Sequence, residues 1–456
     1  MKNLMTVLIL IALVSFFAFS CGTKETIEHE CDNSLNDDSD DAGGNLNDDV
    51  NDDADDDVDD DMDDDVDDDV DDDVDDDVDD DVDDDVDDDE TPILGIPGLN
   101  GTSIGIYRDR IYILASKPDY DEETTRLVLY SKKENEQEWD KRVIYEGNCD
   151  GDWGCNWVQG DESDLVIHDE GNLHIVFHKH GETVEENTVE YLVFNQNLEQ
   201  IQREEVAIIE DARDFASINL TLVDRMPHIV WGVNNNQGYL DYAVREDDFS
   251  TWEINRIGNN LNWVDSPRIE TGTNGIIHLV YGWLTDDTNG ERLITYSQKP
   301  AGGEWSEQEV IAEDVGLGID LSIDKSMYED YGGGAHVCFF AKNGESELKL
   351  AHGHRSFEWW STSLIFSPDL FLYPLSYCKI TSRNASNRVT YYDNGLYYHG
   401  VEIQEGWLNG AYIDAVQGES DRMFVSFFDA WNDQLKFATN THGPWEVEVV
   451  DRPVYY

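Results

Sequence analysis

Leu173-His174-Ile175-Val176-Phe177, Pro227-His228-Ile229-Val230-Trp231, Ile277-His278-Leu279-Val280-Tyr281 and Ala335-His336-Val337-Cys338-Phe339 are four copies of one apolar segment. Three more copies lack the histidine: Ile111-Tyr112-Ile113-Leu114, Val389-Thr390-Tyr391-Tyr392 and Phe424-Val425-Ser426-Phe427. Each is strand-like, being short, β-branched or aromatic, and bounded by turn residues. Each sits in a larger unit of four such runs. The third unit reads Ser217–Val223, His228–Gly232, Leu240–Val244 and Trp252–Ile257. The fourth reads Arg268–Thr271, His278–Gly282, Leu293–Ser297 and Trp305–Ile311. Turn clusters separate the runs, and no segment carries a sustained helical period. Repeated four-stranded units without helices predict an all-β fold, a β-propeller. Seven blades are favoured and six is the alternative count, because the fourth strand of the sixth unit, after Leu396–Val401, reads as poorly formed.

The texture of Asp169-Glu170-Gly171-Asn172-Leu173-His174-Ile175-Val176-Phe177 resembles secreted bacterial propellers of the broad sialidase/BNR-like group, over about residues 100–453. The resemblance implies the fold. No blade carries a clean Ser-x-Asp-x-Gly-x-x-Trp box, and no arginine triad with a tyrosine nucleophile is evident, so the resemblance does not extend to sialidase chemistry.

Ahead of the repeats stand two other kinds of sequence. After Lys2, an apolar run from Leu4 to Phe19 has the length of a secretory h-region and is short for a membrane span. It ends Ala18-Phe19-Ser20-Cys21-Gly22, which resembles a bacterial lipoprotein signal. The resemblance implies residues 1–20 as signal peptide, lipidation (palmitate) of Cys21 and, with Gly22 after it, an outer-membrane or cell-surface address. Residues 21–91 follow as an Asp-rich tether, close to an Asp-Asp-Asp-Val repeat from Asp52 to Glu90, and 92–456 as the propeller. Like charges every four residues repel on a helix, so the tract reads as a disordered, self-repelling spacer, with weak calcium uptake as an accompaniment.

The chain holds 102 acidic and 29 basic side chains in 456 residues, a formal net charge of -73. Residues 91–456 alone carry 62 acidic and 27 basic groups, net -35. Two anionic halves argue against a nucleic-acid partner, and against docking of the folded part on anionic lipid, leaving the lipid anchor as the membrane contact.

In such a propeller the loops between blades and the B–C loops open on one face, where ligands bind. The strand-B histidines recur at one structural position, and so do Trp139, Trp252, Trp305, Trp360 and Trp445 at strand D; recurrence points to packing. Trp153, Trp157, Trp263, Trp283 and Trp431 map to loops of the ligand face and form the candidate glycan- or protein-binding platform. Trp157 and Trp263 sit in matching Asn-Trp-Val segments, whose repetition also suits gap-filling between blades. His178-Lys179-His180, read as a B–C loop, supplies a weak metal or general-base candidate. With Asp161, Arg213, Arg292 and Tyr373 it makes up the only acid/base set available to the competing reading, a polysaccharide lyase or hydrolase. Cys149 and Cys155 bracket a loop and predict a local disulfide. Asp150 and Asp152 within it hint at calcium, although Trp153 stands where a calcium loop has glycine. Cys338 and Cys378 either pair or remain buried thiols. The favoured function is binding, without evident catalysis.

Overall fold

The computed structural model describes residues 100–119, 124–148, 163–179, 187–209, 215–234, 238–245, 251–258, 261–285, 291–313, 315, 318–328, 332–341, 347–354, 359–366, 378–383, 386–392, 395–405, 409–429, 432 and 434–452. Val86–Tyr456 forms a compact unit. Its described residues contain seven antiparallel four-stranded sheets, each built from four consecutive strands. Blade 1 comprises β1 (Asn100–Tyr107), β2 (Arg110–Asp119), β3 (Thr124–Lys133) and β4 (Asp140–Asn148). Blade 2 has β5 (Ser163–Ile167), β6 (Leu173–Lys179), β7 (Thr188–Phe194) and β8 (Gln200–Ile208). Blade 3 has β9 (Phe215–Val223), β10 (Met226–Val233), β11 (Tyr239–Val244) and β12 (Glu253–Gly258). Blade 4 has β13 (Val264–Thr271), β14 (Ile277–Leu284), β15 (Arg292–Lys299) and β16 (Glu309–Glu313). Blade 5 has β17 (Asp320–Asp324), β18 (Gly334–Ala341), β19 (Glu347–His354) and β20 (Trp359–Phe366). Blade 6 has β21 (Cys378–Arg383), β22 (Ser386–Tyr392), β23 (Gly395–Tyr398) and β24 (Val401–Glu405). Blade 7 has β25 (Asn409–Gln417), β26 (Met423–Asp429), β27 (Gln434–Thr439) and β28 (Glu446–Asp451).

The first strands of successive blades touch in sequence, and β25 touches β1, so the ring is closed. This is the predicted propeller. The sixth blade is complete, so the favoured count of seven holds, and the fourth strand that read as poorly formed is regular. Its fourth strand, β24, follows β23 through the two-residue turn His399-Gly400, whose φ angles of 47° and 80° suit a tight hairpin.

Strand B is buried on both faces because a neighbouring blade packs on each side. That is why it reads as an unbroken apolar run. Strand D is the outer edge: Ile201, Ile254, Val310 and Val401 on it are exposed.

The repeated histidines and tryptophans meet at one place in three junctions, those of blades 2–3, 3–4 and 4–5. His174 Nδ1 lies 2.5 Å from the Tyr191 hydroxyl, His228 Nδ1 2.5 Å from that of Tyr242, and His278 Nδ1 2.7 Å from that of Tyr296. Each tyrosine stands on strand C of the histidine's own blade. The next blade's tryptophan then packs edge-on against it: Trp252 on Tyr191, Trp305 on Tyr242 and Trp360 on Tyr296, with centroids 5.4, 5.2 and 4.9 Å apart. Trp445 meets Tyr398 likewise, and Trp139 meets Phe437 to close blade 1 on blade 7. Edge-to-face pairs of this kind contribute about 0.5–1.5 kcal/mol beyond their buried area. Blade 5 departs from the pattern, since Leu350 stands where the tyrosine would be. His336 there reaches Asn387 of blade 6, at 3.0 Å. The histidines and strand-D tryptophans are therefore packing residues, as their recurrence predicts. Trp231, on strand B, is fully buried.

Cys338 and Cys378 form a disulfide that joins strand B of blade 5 to strand A of blade 6. Cys149 and Cys155 lie outside the described residues, as do Cys21 and the acidic tract.

Candidate functional site

Two sets of polar residues occupy places from which a propeller can act: the ring of first strands around the axis, and the rim where the ligand-face loops leave the blades.

Each blade contributes one residue to the axial ring: Ser103, Asp164, Asn219, Arg268, Asp320, Lys379 and Asp414. In every blade this residue precedes the apolar residue of strand A that packs into the junction. The ring residues bind one another and the backbone of the next blade. Ser103 Oγ donates to Asp164 Oδ1 at 2.9 Å, and Asp164 Oδ2 accepts from Asn219 Nδ2 at 2.6 Å and Leu220 N at 2.8 Å. Asn219 Oδ1 accepts the amide of Ile269. Arg268 faces Asp320 at 3.5 Å, and Lys379 faces Asp320 at 3.4 Å and Asp414 at 3.3 Å. Asp320 accepts the amide of Ile380, and Asp414 that of Ile104, which carries the circuit from blade 7 back to blade 1. Burial raises the carboxyl pKa of Asp320 and Asp414, and the facing cations oppose that rise. Two residues beyond Arg268 on strand A of blade 4, burial pushes Glu270 up to about 8, against the pull of Lys325; its Oε2 accepts the amide of Ile323 in blade 5. The arrangement is reciprocal and largely shielded, and its chemistry is that of a fastening. Seven different contexts and five residue types at one position hid it from the sequence reading. The only signal available was a shared offset from the strand-B repeat.

At the rim, blade 4 carries the described candidates. Trp263 precedes β13 and is 42% exposed, next to fully buried Val264. Its carbonyl accepts the amide of Leu284, while Asn262 Nδ2 donates to the Thr285 carbonyl, so two backbone-directed bonds hold this loop on the end of β14. Trp283 lies inside β14, not in a loop as expected from sequence. It is half-buried against the blade 4 core, and its Nε1 donates to Thr295 Oγ1 at 2.8 Å. Arg292 opens β15 and reaches Asp265 on β13 at 3.4 Å, passing strand B near Gly282. A bulge in β13 between Asp265 and Arg268, with Ser266 at φ 44°, separates the residue that serves the rim from the one that serves the axis.

His178 is a further correction. It is not in a loop: β6 runs on through Lys179, and His178 is buried within it, paired with Val189. Phe340 and Phe428 fill the same strand-B slot in blades 5 and 7, so the slot is a packing position. A polar tripeptide hid that strand end. His180, Asp161, Arg213, Tyr373, Trp153, Trp157 and Trp431 lie outside the described residues, and so do the calcium candidates Asp150 and Asp152. Among the described residues, no three His, Cys, Asp or Glu side chains are grouped so as to hold a metal ion. His178 and Arg292, the two described members of the acid/base set, stand in different blades, one buried and one paired.

No protein-family model matches the chain, and no curated protein matches it. Solved structures do. The polysaccharide lyase Uly1 is 9% identical over 77% of this chain and 90% of its own, with a TM-score of 0.46. A Penicillium chrysogenum alpha-L-arabinanase is 10% identical over 77% and 93%, TM-score 0.43. An acylaminoacyl peptidase of Pyrococcus horikoshii is 10% identical over 78% of this chain and 52% of its own, TM-score 0.46. A lyase, an arabinanase and a peptidase at one level of likeness leave the chemistry of this chain to its own residues.

Proposed function

We propose that this chain is an exported, lipid-anchored propeller that binds an extracellular glycan through its ligand-face rim, with Trp263 as a stacking surface. The observation that carries the reading is Trp263, held exposed on a loop pinned to a rigid strand end. An aromatic plane fixed in this way loses little entropy on binding. The rim beside it supplies a committed ion pair, Arg292 with Asp265, in place of an open acid/base pair. This favours binding over catalysis. The net charge of -35 on residues 91–456 repels polyanions, so the glycan that fits is uncharged or cationic. In this reading Cys21 is the lipid anchor and the Asp-rich tract holds the ring away from the membrane.

The test is a glycan array probed with residues 91–456, a piece that contains the whole closed ring. Neutral glycans should be retained, and Trp263→Ala should weaken retention by at least ~10-fold with an unchanged melting temperature. Retention that survives Trp263→Ala would remove the platform. Sugar released in the same wells would replace the binding reading with an enzymatic one.

A further inference from the structure

Among the described residues every blade is made of four consecutive strands, so none of these strands from one end of the chain completes a blade at the other. Six junctions are also bridged by the chain passing from strand D to the next strand A. The junction of blade 7 with blade 1 has no such bridge. What spans it is an apolar cluster and a dense set of charges. Arg422 Nη1 lies 2.9 Å from both carboxylate oxygens of Glu134. Lys132, buried, pairs with Glu448, which also accepts from Trp139 Nε1 at 3.1 Å. Asp451 Oδ2 takes three donors from blade 1: Tyr130 Oη at 2.6 Å, Lys141 Nζ at 2.9 Å and Lys117 Nζ at 3.0 Å. The donors of Asp451 come from β2, β3 and β4, so one carboxylate ties three strands of blade 1 to the last strand of blade 7. Other junctions are fastened differently: blades 5 and 6 share a disulfide, and blades 2 and 3 share the Arg245–Glu204 pair under Trp252.

We propose that the blade 7–blade 1 junction is an electrostatic clasp and the place where the ring opens first, with Asp451 as its pin. Opening there parts β1 from β25 and β28 from β2, β3 and β4, and uncovers the axial ring from the side, while the remaining six junctions stay shut. Substituting the pin lowers the barrier to that one motion. Loss of a fastening in a chain-bridged junction does not.

Hydrogen exchange followed by mass spectrometry on the full chain tests this. With Asp451→Asn, peptides covering 100–107 and 446–451 should exchange at least ~10-fold faster than in the unsubstituted protein, while 215–223 and 264–271 stay within about twofold. Glu204→Gln, at the blade 2–blade 3 junction, should leave the 100–107 and 446–451 peptides at their original rates. Acceleration spread evenly over all seven blades, or no acceleration at the clasp, overturns the proposal. Should Asp451→Asn fail to fold, Glu134→Gln removes the partner of Arg422 at the same junction. Unaltered exchange of 100–107 in that variant is equally fatal to it.

Discussion

His228 shows how much one residue can be made to do by its surroundings. It is buried, it holds the Tyr242 hydroxyl, and that tyrosine carries the tryptophan of the next blade. Burial, with Lys299 nearby, brings the pKa of His228 down to about 4. Burial, with His168 and Arg245 nearby, does the same to His174. The unfolded chain takes up these protons near pH 6.5, whereas the folded one resists until about 4. Each histidine therefore withdraws stability as pH falls from 6.5 towards 4, about 3 kcal/mol by the end of that window. Glu270 works in the other direction: the folded state keeps its proton up to about pH 8, so its contribution fades as pH rises from 4.5. The difference between proteins isolates the histidines. Urea midpoints measured from pH 7 to 4 should fall less steeply for His174→Gln/His228→Gln than for the unsubstituted chain; parallel curves would refute the assignment. These histidines were legible in the sequence because one letter recurs in one place. The axial residues were not, because Ser103, Asp164, Asn219 and Lys379 share a position and no chemistry.

At the scale of the element, strand boundaries were legible where an apolar run stops at turn residues and obscure where a polar residue is structurally inside. His178 belongs to β6 because an inward slot exists for it between two blades, a fact of packing that its polarity conceals. Trp283 was read as loop because the run was ended at Gly282, although the turn residues begin only after Leu284. The strand β24 was missed because its hairpin is the shortest kind. That hairpin offers a clean test. Gly400 has a φ of 80°, and a Cβ built there meets nothing within 4 Å. Gly400→Val should cost about 1–2 kcal/mol through backbone conformation alone, and Gly400→Asn much less, since asparagine tolerates the left-handed region. Equal losses for the two, read from urea unfolding, would mean that side-chain contact matters there after all.

For the whole molecule, closure is the property that the repeat implies and the axial ring enforces. Asp320 is shielded between Arg268 and Lys379 and accepts a backbone amide from the next blade. Removing it takes a shared carboxylate from Arg268 and Lys379 and the acceptor from the amide of Ile380. Asp320→Ala should therefore cost about 3–5 kcal/mol and lower the melting temperature by many degrees, whereas a surface substitution such as Asp140→Ala should be nearly neutral. A calorimetric comparison decides between a fastening and an incidental cluster. The fold class and blade texture were readable from spacing alone. The links between blades were not, because they join residues tens to hundreds of positions apart that no local pattern connects.

The contiguity of each blade also has a meaning in time. A chain made from its N-terminal end presents blade 1 first, and the flank of blade 1 that blade 7 will cover stays bare until the last strand is made. Lys117, Lys132 and Lys141 lie on that waiting flank opposite Glu448 and Asp451 on the one that arrives, and Glu134 and Arg422 face each other with the signs reversed. Exposed charges on an uncovered flank favour solvation over self-association, and each has a partner of opposite sign on the flank that covers it. The groups that hold the finished ring are thus the ones that leave its last-closed seam polar while it is open.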